Sequence, residues 1–113
     1  MAIEISSEKF NELKSLGGVS LVEKLLDKFL QTTPRLVADA KEALKNGDHA
    51  KVDYCVHTMK GSSLSLGIAA MSDLLIDMNL RTKKQDATNM ADDLLRLDQL
   101  LKELSEYRNR GFT

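Results

Sequence analysis

Residues 48–67 read DHAKVDYCVHTMKGSSLSLG, and this stretch decides the fold. At about 100° per residue, its apolar and small side chains gather on one side of a helix. They are Val52, Cys55, Val56, Met59, Ser62, Ser63 and Leu66. Asp48 is a favourable N-cap and Gly67 a favourable C-terminal stop, so the helix is expected to begin at Asp48 and to end near Gly67. We therefore predict an amphipathic helix with one buried side.

The segment before this helix has the same periodicity, which indicates an all-α fold. The chain has one proline and six glycines, and they fall where helices are expected to start and stop. A short first helix is predicted from Ser6 or Ser7 to Gly17-Gly18, and a second from about Val19. Thr33 and Pro34 then either start a new segment, with Thr33 as its N-cap, or bend a continuing helix.

Two further helices are predicted after Gly67. One runs to about Arg81, and a polar loop follows it over residues 82–86. The last helix runs from roughly Asp86 to Arg108, and its apolar residues alternate in spacings of four and three, as in the seam of an antiparallel bundle. They are Met90, Leu94, Leu97, Leu101 and Leu104. We predict an antiparallel four-helix bundle with a short additional N-terminal helix across one end, as a single domain over residues 1–113.

Composition excludes several classes of function. Sixteen Lys and Arg against seventeen Asp and Glu give a net charge of −1, which argues against a nucleic-acid partner. The single cysteine, Cys55, is expected in the core and forms no internal disulfide, which favours a reducing compartment. No apolar run is long enough to span a membrane. We expect a soluble, cytoplasmic protein with no membrane partner.

His57 lies on the side of its helix that faces away from the apolar residues. Lys60 and Gly61 follow at i+3 and i+4, the positions that touch a helical side chain. A glycine on an exposed helical face costs about 1 kcal/mol relative to alanine, so we interpret Gly61 as keeping access to the ring open. Lys60 attracts anions. A solvated surface histidine is the simpler interpretation, but it leaves Gly61 unexplained, and the three residues together predict a phosphoryl group on the ring.

Other interpretations of this face are weaker. Asp53 and His57, with His49 another turn back, have a spacing compatible with metal ligands, but Lys60 repels a cation, so no metal site is predicted. Ser62 and Ser63 are expected on the inner side as small packing residues rather than nucleophiles. Leu64 lies on the outward face, and we interpret Leu64, Gly61 and Ala50 as a small apolar docking patch.

Residues 57–67, HTMKGSSLSLG, resemble the motif of the histidine-containing phosphotransfer (Hpt) family. That motif is approximately His-x-Leu-Lys-Gly-Ser-Ser/Ala-x-x-Leu/Ile-Gly, and only Met59 departs from it. The resemblance implies a four-helix bundle in which His57 accepts the phosphoryl group, Lys60 neighbours the phosphate and Gly61 keeps the ring reachable. The family often places Gln or Glu twenty-two positions after the histidine, where this chain has Asn79. The role implied for Asn79 is to orient the His57 ring, with a shorter side chain.

The expected function is a phosphorelay step between the aspartates of two receiver domains. The resemblance implies response-regulator receiver domains, or the receiver of a hybrid histidine kinase, as partners, and it implies that the receiver supplies Mg²⁺. We expect a monomeric carrier with no cofactor of its own, and no autokinase activity because the chain has no glycine-rich nucleotide loop. One alternative is a helical module that binds and sequesters a receiver without transfer. Another is a small hydrolase with His57 as general base, for which no nucleophile is identified.

Overall fold

The computed structural model describes residues 3–111, and in this range the protein consists of helices joined by turns. The helices are α1 (Ser7–Lys45), α2 (His49–Leu66), α3 (Ala69–Thr82) and α4 (Met90–Arg110). No strand occurs in the described range, so the predicted all-α class is confirmed. None of these helices combines the length and apolar character needed to cross a membrane.

Hydrogen bonds between helices give their relative directions. Ser63 bonds to Ser72, and Asp53 bonds to Thr82, so residue numbers fall along α2 as they rise along α3. Two ion pairs join α1 to α4 in the same opposed order, Lys41 to Asp98 and Asp27 to Arg108. Within each of these helix pairs the two helices therefore run antiparallel.

The core lies along the axis of the bundle. Every helix contributes fully buried apolar side chains, and Ile3 and Ile5 cover the core from the N-terminal segment. Four methionines are fully buried in this core: Met59, Met71, Met78 and Met90. Cys55 is also buried, and this burial raises the pKa of its thiol. The predicted apolar stripe of α4 is buried along its whole length.

Helix α1 combines the elements that the sequence divides at its glycines and at its proline. Gly18 has a non-helical backbone (φ 73°, ψ −176°), so the short helix predicted before it is a separate segment, joined to the next helix at a kink. The N–H of Ser6 donates to the Gly67 carbonyl at 2.9 Å, which holds this segment against the α2–α3 turn at one end of the bundle. At Pro34 the helix continues, and Thr33 is buried inside it. The prediction of a new segment capped by Thr33 is therefore wrong.

Helix α4 begins four residues later than predicted, at Met90 rather than at Asp86. The Asp86 carboxylate accepts a hydrogen bond from the Thr88 N–H, which closes a local turn rather than capping the helix. Gln85 and Asn89 flank this turn with positive φ angles of 56° and 59°. Arg81 stabilises the turn by donating to the Thr88 carbonyl at 2.8 Å. The loop is therefore longer than the sequence indicated.

Candidate functional site

Helix α2 is capped at both ends by residues that flank it in the sequence, Asp48 and Gly67. The Asp48 side chain accepts from the Lys51 N–H at 3.1 Å, so it is the N-cap, as predicted. At the other end Gly67 is left-handed, and the N–H groups of Gly67 and Ile68 bond back to the carbonyls of Leu64 and Ser63. Both ends lie where the sequence predicted them. His57 is consequently held near the middle of a regular helix.

The His57 imidazole is exposed to solvent on the side of α2 opposite the core. Among the residues that the structure describes, it has no hydrogen-bond or ion-pair partner. Val52, Val56 and Met59 bury the opposite side of the same helix. The ring is therefore anchored through the packing of its helix and is accessible to an incoming group.

Lys60 is half-buried in the groove between α2 and α3. Its ammonium group donates to Asn79 Oδ1 at 2.8 Å. The Asn79 amide nitrogen in turn donates to Asp53 Oδ1 at 3.0 Å and to Thr82 Oγ1 at 3.1 Å. The Thr82 hydroxyl lies 2.7 Å from the same Asp53 oxygen. These four side chains form one polar network beside the His57 face.

Asn79 bonds to Lys60, Asp53 and Thr82, and in the described structure it makes no bond to His57. One lone pair of its oxygen and both of its amide hydrogens are used by these three partners. The ring-orienting role implied by family resemblance stays a prediction. The observed contacts instead connect Asn79 to the neighbouring cation.

Gly61 lies on the exposed face one turn after His57. Apart from its chain neighbours and the local helix backbone, a Cβ atom at Gly61 would meet no heavy atom within 4 Å, and the φ of Gly61 is not in the left-handed region. Intramolecular packing therefore does not require glycine at this position. Leu64, the next residue along this face, is 49% exposed. Ala50, at the other end of the face, lines a shallow cleft with Asp53 and Thr82.

The sequence model of the Hpt domain family matches residues 24–109 of this chain. This chain belongs to the Hpt domain family. The match spans the second part of α1 and nearly all of the remaining helices, and it includes His57, Lys60, Gly61 and Asn79. The chain is therefore a histidine phosphotransfer module of the phosphorelay type, and modules of this family carry a phosphoryl group rather than catalyse a reaction.

Two solved structures are similar to this Hpt domain in fold. One is the histidine-containing phosphotransfer protein B (HptB) from Pseudomonas aeruginosa PAO1, with a TM-score of 0.83 and 14% identity, covering 96% of both chains. The other is the Hpt domain of the Hpt sensor hybrid histidine kinase from Shewanella, with a TM-score of 0.65 and 21% identity, covering 91% of this chain and 82% of that chain. No curated protein sequence matches the chain as a relative. At these identities the two structures establish the shared fold.

The structure adds exposed apolar residues that the sequence interpretation left without a role. Tyr54 is 65% exposed one turn before His57, and on α3 Leu80 is 60% and Ile76 40% exposed. Ile76 is one turn from both Ser72 and Asn79, which bond to α2, so it lies on the α2 side of α3. The available signal was that Ile76 and Leu80 fall outside the buried stripe of their helix.

The sequence predicted that Ser62 faces the inner side of α2, and this prediction is wrong. It is exposed and lines a cleft with Lys28, Phe29 and Thr32 of α1, because it lies at the edge of the buried arc. Ser63 is buried as predicted, and its hydroxyl donates to the Lys60 carbonyl at 3.0 Å and accepts from Ser72 at 3.2 Å. Ser63 therefore acts in packing between α2 and α3.

His49 and Asp53 do not complete a metal-ligand set with His57. In the described part of the chain, no three His, Cys, Asp or Glu side chains are grouped so that they could hold a metal ion. Asp53 is instead occupied by Asn79 and Thr82. The Asp53 carboxylate is thus part of the polar network between the helices.

Proposed function

We propose that this protein accepts a phosphoryl group on His57 from the aspartyl-phosphate of one receiver domain and passes it to the aspartate of another. The observation that carries this proposal is one exposed face on which an unpaired histidine, a lysine and an unobstructed glycine lie within a single helical turn of each other. Each of the three has a separate use in phosphoryl transfer, and packing of the bundle does not require glycine at position 61.

The transfer step needs little from this chain beyond position. An unprotonated ring nitrogen of His57, by family resemblance Nε2, supplies the electron pair that forms the N–P bond. The P–O bond to the receiver's aspartate breaks, and the carboxylate leaves with its electron pair. Lys60 offsets negative charge on the phosphoryl oxygens. The same steps in reverse pass the group to a second receiver.

The remaining groups are expected from the partner. We propose that the receiver brings Mg²⁺ and its own cationic residues, so this chain needs no cofactor. Because the chain has no glycine-rich nucleotide loop, we expect no autokinase activity. The exposed apolar residues around His57 then form the receiver-docking surface, which includes Leu64 and Tyr54 of α2 and Ile76 of α3.

A direct test uses receiver domains phosphorylated on aspartate with radiolabelled acetyl phosphate. Each receiver of a panel from the same genome is incubated with the protein, and label is followed on both chains. We expect at least one receiver to lose its label as this protein gains it. Binding without transfer would support a sequestering module, and release of inorganic phosphate without label on this protein would support a hydrolase. Either of these results contradicts the proposal.

A further inference from the structure

The hydrogen bonds of the polar network beside His57 donate in one direction, from Lys60 through Asn79 to Asp53. Asn79 is only 2% exposed, and it lies between the Lys60 ammonium and the Asp53 carboxylate. A lysine ammonium only donates hydrogen bonds, and an ionised carboxylate only accepts them. The Asn79 amide therefore satisfies both neighbours in one orientation, with Oδ1 towards Lys60 and Nδ2 towards Asp53.

Asp53 fixes this orientation from the side of the amide opposite Lys60. On that side of the amide, a neutral neighbour that both donates and accepts, such as the Thr82 hydroxyl alone, would not oppose a turned-over amide, and only Lys60, which has no acceptor, would disfavour it. The Asp53 carboxylate also disfavours the turned-over amide, and the Thr82 hydroxyl reinforces this by lying 2.7 Å from Asp53 Oδ1. Because Asp53 makes no ion pair with Lys60 in the described structure, its charge acts through the neutral amide.

We propose that Asp53 is a positioning residue, which holds the Lys60 ammonium beside His57 through the Asn79 amide. The inference rests on the proposed phosphotransfer function and adds a residue to it. A neutral amide suits this task because it fixes the place of the ammonium without neutralising its charge. Lys60 therefore keeps its attraction for the phosphoryl oxygens, which a direct carboxylate partner would weaken by competition.

The test compares Asp53→Asn with a charge-matched control, Asp92→Asn. Asp92 is exposed in the first turn of α4, and in the described structure it makes no hydrogen bond or ion pair with Asp53, Lys60, Asn79 or Thr82. Single-turnover transfer is measured at increasing concentrations of a receiver phosphorylated with acetyl phosphate. Asp53→Asn is expected to lower the rate at saturating receiver about threefold to tenfold, with little change in the half-saturating concentration. Asp92→Asn is expected to transfer at the wild-type rate.

The same substitution in a Lys60→Ala background isolates the route of the effect. If Asp53 acts through Lys60, Asp53→Asn causes no further slowing once Lys60 is absent. An equal slowing in both backgrounds would overturn the inference, because Asp53 would then act independently of the cation. A wild-type rate for Asp53→Asn in the parent protein would overturn it as well.

Folding of each variant is checked by circular dichroism before its rate is measured. If Asp53→Asn does not fold, Thr82→Val takes its place, because it removes the hydroxyl that bonds to Asp53. Its slowing is expected to be smaller and again absent in the Lys60→Ala background, and additive slowing contradicts the inference. Absence of transfer to the wild-type protein would instead reject the proposed function, a result distinct from every outcome that concerns Asp53 alone.

Discussion

The motif over residues 57–67 contains two glycines, Gly61 within α2 and Gly67 at its C-cap, and the fold requires glycine only at Gly67. Gly67 has a φ of 68°, and a Cβ atom there would lie 2.6 Å from Lys9 Cβ and 2.9 Å from Ser6 Oγ. Gly61 has helical geometry, and a Cβ atom there would meet nothing within 4 Å. Gly67 is therefore explained by the fold, whereas Gly61 is not.

The contrast separates residues that shape the bundle from residues that serve its surface. At Gly67 the left-handed turn closes α2 and lets the N-terminal segment approach its end. At Gly61 an alanine would favour the helix by about 1 kcal/mol, so the bundle gives up stability to keep that position bare. The missing side chain at Gly61 leaves the helix backbone open next to the exposed His57, and such an opening allows a partner to approach the ring.

The largest expected effect on stability is at Gly67. Gly67→Ala should lower the free energy of unfolding by about 2–3 kcal/mol, because it adds left-handed strain and an overlap with Lys9. Gly47→Ala is the matched control, since Gly47 also has a positive φ of 71° but open space around its Cβ position. Gly47→Ala should cost about 1 kcal/mol, the strain alone. Equal losses by denaturant unfolding would contradict the role assigned to the Lys9 contact.

Lys60 belongs to the functional side of this contrast. Lys60→Ala should slow single-turnover transfer about tenfold, equivalent to about 1.4 kcal/mol, because the developing phosphoryl charge loses its neighbouring cation. The bundle should remain folded, since Asn79 keeps its bonds to Asp53 and Thr82. Lys102→Ala, which removes an exposed lysine of α4, is the control and should not alter the rate. An unchanged rate for Lys60→Ala would mean that receiver groups alone neutralise the phosphate.

Gly61 gives the sharpest contrast with Gly67, because stability and transfer should move in opposite directions. Gly61→Ala should raise the free energy of unfolding by up to about 1 kcal/mol, the cost of glycine in an exposed helix. Gly61→Gln should hold or raise the melting temperature while it slows transfer severalfold, because its side chain obstructs the approach to His57. Ala91→Gln adds the same side chain on α4 and should leave transfer unchanged. Full transfer by Gly61→Gln would remove the support for an access role.

The smallest expected effect on stability is at the Asp27–Arg108 ion pair, which belongs neither to the Gly67 turn nor to the His57 face. Arg108 bonds to the Asp27 carboxylate at 2.7 Å and lowers its pKa from the ordinary value of 3.8. Stability from this pair is therefore complete above the pKa of the unfolded chain and is lost as the pH falls through the lower folded-state pKa. Asp27→Asn should lower the melting temperature slightly at pH 7, and this difference should disappear at strongly acidic pH. A difference that persists at acidic pH would contradict the ion pair.

The regular parts of this fold could be predicted because apolar periodicity records them directly. The inward faces of α2 and α4 follow the helical period, and caps at Asp48 and Gly67 mark the ends of α2. The start of α4 was missed because Asp86 is a good N-cap by residue type. In the structure the backbone of Asn89 is left-handed, with a φ of 59°, so the helix begins only after it, at Met90. Local sequence did not distinguish an aspartate that caps a helix from one that closes a turn.

The candidate site divides in the same way. The positions of His57, Lys60 and Gly61 on one face followed from spacing along a single helix. The partners of Asn79 could not be predicted, because they depend on the register between α2 and α3. Ser62 was misplaced because it lies at the edge of the buried arc, where the neighbouring helix decides exposure.

The account depends most on His57 as the phosphorylated residue, and the chain contains a natural control because its only other histidine is His49, also exposed. His57→Gln and His49→Gln are each incubated with the receiver domain that labels the wild-type protein, and acid-labile, base-stable label is measured. We predict that His49→Gln gains label at the wild-type rate, while His57→Gln folds normally and gains none. Acid-labile, base-stable label on His57→Gln would contradict the account.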